Sequence, residues 1–168
     1  MGEKMFEKDY NFKGKHAEYV EKLKDKVVGD KYFLFNSLMD IFLIAPIIGY
    51  LDNKKSPIDK SLSFEKTIFA NEMRKISSEV IYLYQLITLI DTNTEKDKEK
   101  RIEKAFKKLE REDFKVFEEY LRGGIEILYE KLYLKNLTIE QQSLKILEFV
   151  EKFNFLKHIE ELEATTIG

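Results

Sequence analysis

Histidine occurs twice in this chain of 168 residues, at His16 and His158, and cysteine not at all. His158 and Glu161 stand three apart. One helical turn would place both on one face as metal ligands, or leave both on a solvated helix surface. A di-iron bundle needs Glu-x-x-His on two helices, and neither histidine has a glutamate three residues before it. The His-Glu-x-x-His spacing of zinc hydrolases, the glycine-rich phosphate loops and the Gly-x-Ser-x-Gly nucleophile elbow are absent too. Without cysteine there is no disulfide, thiolate zinc site or cysteine nucleophile. Carboxylates are plentiful, but a sequence does not separate a catalytic pair from a surface ion pair. The expectation is a protein that is not an enzyme and uses no metal and no cofactor.

Two other features invite a binding role. Gly123 and Gly124 stand together among strong helix formers, between Glu118-Glu119-Tyr120 and Ile125-Glu126-Ile127-Leu128. Each glycine inside a helix costs about 1 kcal/mol relative to alanine. Close approach of another backbone, a break that starts a new helix at Ile125, or a docked partner would each account for the pair. The second feature is the basic run over residues 96–111. Lys98, Arg101, Lys104, Lys108 and Arg111 could attract phosphates, but Glu95, Asp97, Glu99, Glu103, Glu110 and Glu112 are interleaved with them. Either helical spacing sorts the signs onto different faces, or the segment is a solvated, salt-bridged helix. The overall net charge of −2 does not by itself predict nucleic-acid binding.

The elements that would position these groups read as helices. Hydrophobic residues make up 43% of the chain, enough for a core, and 7 glycines with 2 prolines leave little punctuation for turns. A first helix is expected from Lys15 to Val28. Ser37 with Asp40 forms a Ser-x-x-Asp capping box. The segment Leu38 to Tyr50 that follows is apolar on nearly every face, which belongs at the centre of a fold; Pro46 should kink it or mark its start. Its apolar run spans ~10 residues, short of the roughly 20 needed to cross a bilayer. Asp52 to Pro57 is a turn, and Ser61 to Thr67 is either a short helix or an extended connector. Asn71 to Asp91 reads as one long central helix, Glu95 to Glu112 as a peripheral one and Asp113 to Lys135 as another. Thr138, boxed with Gln141, starts the last. There, Leu144, Leu147, Val150, Phe153 and Ile159 form the expected inward face. The fold class is therefore all-α, a single compact domain of about five to six helices over residues 15–163, with loose ends at 1–14 and 164–168. Nothing in the charged N-terminus resembles a signal peptide, and a cytoplasmic setting is expected.

Three segments carry a resemblance. Lys31 to Phe35 with Met39 to Tyr50 forms an apolar helix ending in Ala-x-x-x-Gly, followed by the polar turn Asn53 to Ile58. Phe117 to Leu128 contains Glu119-Tyr120-x-x-Gly123-Gly124-x-x-x-Leu128. Over about Phe33 to Leu132 the chain resembles the family called DNA phosphorothioation (Dnd) system-associated protein 4. The resemblance implies a small helical protein encoded near prokaryotic DNA-modification and phage-defence genes, with no catalytic residues to carry over. It suggests an accessory or adaptor subunit that docks onto protein subunits of a defence complex. Glu119, Tyr120, Gly123 and Gly124 are then the candidate contacts, and DNA is reached indirectly. Self-association into a homo-oligomer is a further option, and no membrane role is expected. The alternatives are direct DNA binding through the basic helix and a phage-encoded inhibitor of a defence system.

Overall fold

The structure, a computed structural model, describes residues 6–28 and 31–153; for 26–28 it describes the backbone alone. Seven α-helices occupy most of this span: α1 Lys15–Lys24, α2 Leu38–Leu51, α3 Ala70–Lys75, α4 Ser77–Ile90, α5 Lys98–Phe106, α6 Lys115–Leu132 and α7 Ile139–Lys152. A 3-10 turn, Arg111–Phe114, leads into α6.

The all-α expectation needs correcting, because two small antiparallel sheets are present. Strand β1 (Tyr10–Lys13) pairs with β4 (Glu65–Ile68), with Tyr10 opposite Ile68 and Lys13 opposite Glu65. Strand β2 (Lys26–Val28) pairs with β3 (Tyr32–Phe33). The cause lies in period-two stretches too short to outweigh the helical composition when the sequence is read alone. Phe12 and Ile68 turn inward while their neighbours face solvent. The expected loose segment 1–14 is therefore tied down from Tyr10 onward, and Phe6 is buried as well. The ambiguous stretch at Ser61 to Thr67 ends in strand rather than helix, and the first helix stops at Lys24 instead of Val28.

Helix α2 carries the expected capping box. The Asp40 amide donates to Ser37 Oγ at 3.2 Å and the Ser37 amide to Asp40 Oδ2 at 2.9 Å. The helix runs unbroken through buried Pro46 to Leu51; beyond its cap at Asp52, Asn53 has φ 51°, the left-handed value that asparagine tolerates. The expected long helix over 71–91 is divided at Ile76, which has φ −107° and ψ 10°. Asp97 caps α5 by accepting from the amides of Glu99 and Lys100.

Helices α2 and α6 form the centre. Ile41, Phe42, Ala45 and Ile48 of α2 meet Phe117, Tyr120, Leu121, Ile125 and Leu128 of α6 in one hydrophobic core, with Ala17, Val20 and Leu23 of α1 and Val80, Tyr84 and Ile87 of α4. Tyr19 of α1 stacks on Tyr129 of α6 at 3.9 Å between ring centres and 3° between planes, and Tyr133 stacks on the far side of Tyr129 at 4.9 Å.

The α7 expectation is also corrected. Of the expected face Phe153 does pack against the core, but Leu144, Leu147 and Val150 are more than half exposed, and Ile146 and Phe149 turn inward in their place alongside buried Gln142. Positions 142, 146, 149 and 153 follow the helical repeat of 3.6 as well as the apolar series does. The polar residue at the head of that inward stripe hid it. His158, Glu161, Ile159 and the expected tail lie outside the described residues.

Candidate functional site

The glycine pair does not interrupt its helix. Residues Lys115–Leu132 are continuous, and both glycines are buried. A Cβ on Gly124 would collide with the carbonyl oxygen of Ala45 in α2, and one on Gly123 with the carbonyl of Lys54 in the following turn. Across the seam, a Cβ on Gly49 would collide with the carbonyl of Tyr120. Three glycines on two helices thus let backbone approach backbone. The glycines' faces are occupied by the chain itself.

The polar turn after α2 is stitched to α6 along the same seam. The Ser56 amide donates to the Glu119 carbonyl at 3.0 Å, and Arg122 Nε donates to the Ser56 carbonyl at 2.8 Å. Further on, Asp59 Oδ2 accepts from the Lys15 amide at 2.7 Å, which caps α1. Gly14, just before that helix, has φ 58°.

Glu126 gathers the largest set of charges. Its carboxylate lies 2.9 Å from Lys15 Nζ, 2.9 Å from His16 Nε2 and 3.1 Å from Lys54 Nζ. Burial alone would raise its pKa; hydrogen bonds from Lys15, Ser56, His16 and Lys54 outweigh that and hold it at about 2. His16 is 1% exposed, and burial keeps its pKa below the ordinary imidazole value, although Glu126 opposes that shift. Its ring is therefore neutral at pH 7, with the proton on Nε2 facing the carboxylate.

Tyr120 ends in a second cluster. Its hydroxyl donates to Asp91 Oδ2 at 2.9 Å, and the Thr94 hydroxyl bonds the same oxygen. The Lys55 ammonium sits 4.7 Å above the Tyr120 ring and 3.9 Å from Asp91. Burial pushes the Asp91 carboxyl up, but the Thr94 and Tyr120 bonds and the Lys55 charge bring it below the ordinary range. Of the four docking candidates, then, Tyr120, Gly123 and Gly124 are interior and Glu119 is half-buried.

The five basic candidates do not form one surface set. Arg101 donates to three backbone carbonyls, Leu89, Glu95 and Lys96, at 2.8–2.9 Å, and so closes the end of α4. Lys104 lies 3.5 Å from Glu95, and Arg111 lies 2.6 Å from Glu118. Lys98 and Lys108 are exposed and make no ion pair among the described residues.

What the sequence reading missed is an open apolar groove between α2 and α4. It has a volume of about 690 Å³ and is lined by Phe35, Leu43, Ile44, Ile47, Tyr82 and Leu83, with Asp40, Ser78 and Glu79 as its polar rim. Tyr82 is 63% exposed, and Leu86 and Ile90 continue its face at four-residue steps, each about two-fifths exposed. The signal was available: a helix as apolar as α2 has more faces than α1 and α6 can cover.

No helix among the described residues is long and apolar enough to cross a membrane. No curated protein and no solved structure matches the chain. The model of the family described as DNA sulphur modification system-associated protein 4 matches residues 13–165, and the protein belongs to that family.

Proposed function

We propose that this protein is a non-catalytic accessory subunit of a DNA sulphur modification system, and that it acts by docking onto a protein component of that system. The family description supports the association. The observation that carries the docking reading is the α2–α4 groove, where large apolar side chains stay in contact with water. Contiguous exposed apolar surface is costly on a soluble protein and marks interaction surfaces. Aromatic side chains such as Tyr82, with a large apolar body and a polar tip, are enriched in such interfaces. The interior position of Tyr120, Gly123 and Gly124 moves the proposed contact from the glycine pair to this groove. Glu119 stays beside the turn at Ser56 as part of the scaffold.

The test is co-expression of the chain with the protein components of its own modification system, followed by purification of the complex. Co-purification is expected with one component, and it should be lost in the double variant Ile44→Asp, Tyr82→Ser. Loss must occur without a change in the far-ultraviolet circular dichroism of the variant. Failure to co-purify with every component would refute the docking reading.

A further inference from the structure

On the opposite side of α2, a second cavity of about 580 Å³ lies between β1, the 3-10 turn and the first half of α6. This volume falls in the range of small-molecule sites, roughly 300–1,000 Å³. Phe42 and Phe117 are among the rings at its inner wall, and Lys8, Lys13, Lys108 and Arg111 surround its mouth.

Two buried polar side chains line this cavity with capacity to spare. Arg122 is only 8% exposed. Its Nε is committed to the Ser56 carbonyl and it hydrogen-bonds the Tyr10 hydroxyl, yet among the described residues it forms no ion pair with a carboxylate. A buried guanidinium without a counter-charge is costly. Glu118, also in the lining, is ion-paired with Arg111 at 2.6 Å, although its Oε1 is buried without a hydrogen bond. His16 is the second group: Nε2 faces Glu126, and Nδ1 is buried with no partner. With the proton on Nε2, Nδ1 is an acceptor awaiting a donor.

The carboxylates at the mouth do not cancel the positive set. Asp9 accepts from the Ala70 amide at 2.8 Å, and Lys13 shares its charge with Glu65 at 3.3 Å. Glu110 is exposed and shares the cavity lining with Lys8 and Lys108, neither of which has an ion pair among the described residues.

We propose that this cavity binds a phosphate-bearing small molecule of nucleotide size. Arg122 takes the phosphate oxygens through its planar fork, Lys108 adds charge at the mouth, and His16 Nδ1 accepts a hydrogen bond from a hydroxyl or N–H on the body of the ligand. The shared chemistry is a nucleoside phosphate, either free or as one residue of a single strand. This proposal is independent of the groove, which lies on another face of α2.

Isothermal titration of the full chain with inorganic phosphate, nucleoside 5′-monophosphates and a short single-stranded oligonucleotide tests it. A mononucleotide should bind one-to-one, with phosphate competing. Arg122→Lys keeps the charge but removes the fork and should weaken binding about tenfold. Lys108→Ala, on an exposed side chain, should weaken it roughly threefold without altering the fold. Binding of the oligonucleotide alone, lost in Arg122→Lys, assigns the cavity to a nucleotide held in a strand. Flat titrations with all three probes at millimolar concentration would overturn the proposal. So would oligonucleotide binding that is indifferent to both variants. Tyr82→Ser, in the groove, should leave every titration unchanged.

Discussion

The two long sides of α2 meet different fates. Toward α6, Ala45 and Gly49 lie against Gly124 and Tyr120 so closely that no side chain fits between the backbones. Toward α4, Ile44 and Ile47 look into an open groove with Tyr82 standing mostly in water. One helix thus provides both a seam of backbone-to-backbone contact and one wall of an open apolar groove. Apolar character alone does not say which side of a helix is interior. Residue size decides it, because small residues permit closure and large ones facing solvent wait for a partner.

Substitutions at the two sides should separate stability from binding. The largest effect is expected from Gly124→Val, whose branched side chain must force α2 and α6 apart. A loss above about 4 kcal/mol in denaturant unfolding, or failure to fold, is expected. A folded Gly124→Val protein of ordinary stability would break the comparison. Next, Glu126→Gln removes the shared partner of Lys15, His16 and Lys54 and should cost about 2 kcal/mol. The same residue sets an acid limit. Its folded pKa, about 2, lies below the unfolded value near 4.5. Its contribution is therefore complete above pH 4.5 and is lost as pH falls toward 2. Urea midpoints measured from pH 6 down to pH 2.5 should fall more steeply for the wild type than for Glu126→Gln. Tyr120→Phe removes the hydroxyl that ties α6 to Asp91 and should cost about 1–2 kcal/mol. Tyr82→Ser should change stability by no more than about 0.5 kcal/mol, yet weaken co-purification of a partner. A large stability loss at Tyr82 would mean that the groove belongs to the core.

Local signals in the sequence translated well into local structure. The boxes at Ser37 with Asp40 and at Thr138 with Gln141 both form, because each depends on residues three apart. The turn after α2 and the break at Asn136, where φ is 66°, were legible from residue type. Long-range facts were not. Nothing in the spacing shows that His16 meets Glu126, 110 residues away, or that Asp59 caps a helix 44 residues before it. The pairing of β1 with β4 was hidden for the same reason. The glycine pair was recognised as exceptional, and close backbone approach was among the explanations, but its partner could be named only once Ala45 and Lys54 were placed beside it. On the inward stripe of α7 only Phe153 was legible, because Gln142 masks a pattern otherwise as regular as its rival.

The stacked tyrosines joining α1 to α6 also supply a built-in optical probe. The chain contains no tryptophan, so its near-ultraviolet dichroism comes mainly from tyrosine. Parallel rings 3.9 Å apart couple their electronic transitions, and the coupling vanishes once Tyr19 leaves Tyr129. Separation of the first helix from the central one could therefore be followed without any label, while the far-ultraviolet spectrum reports backbone helicity independently.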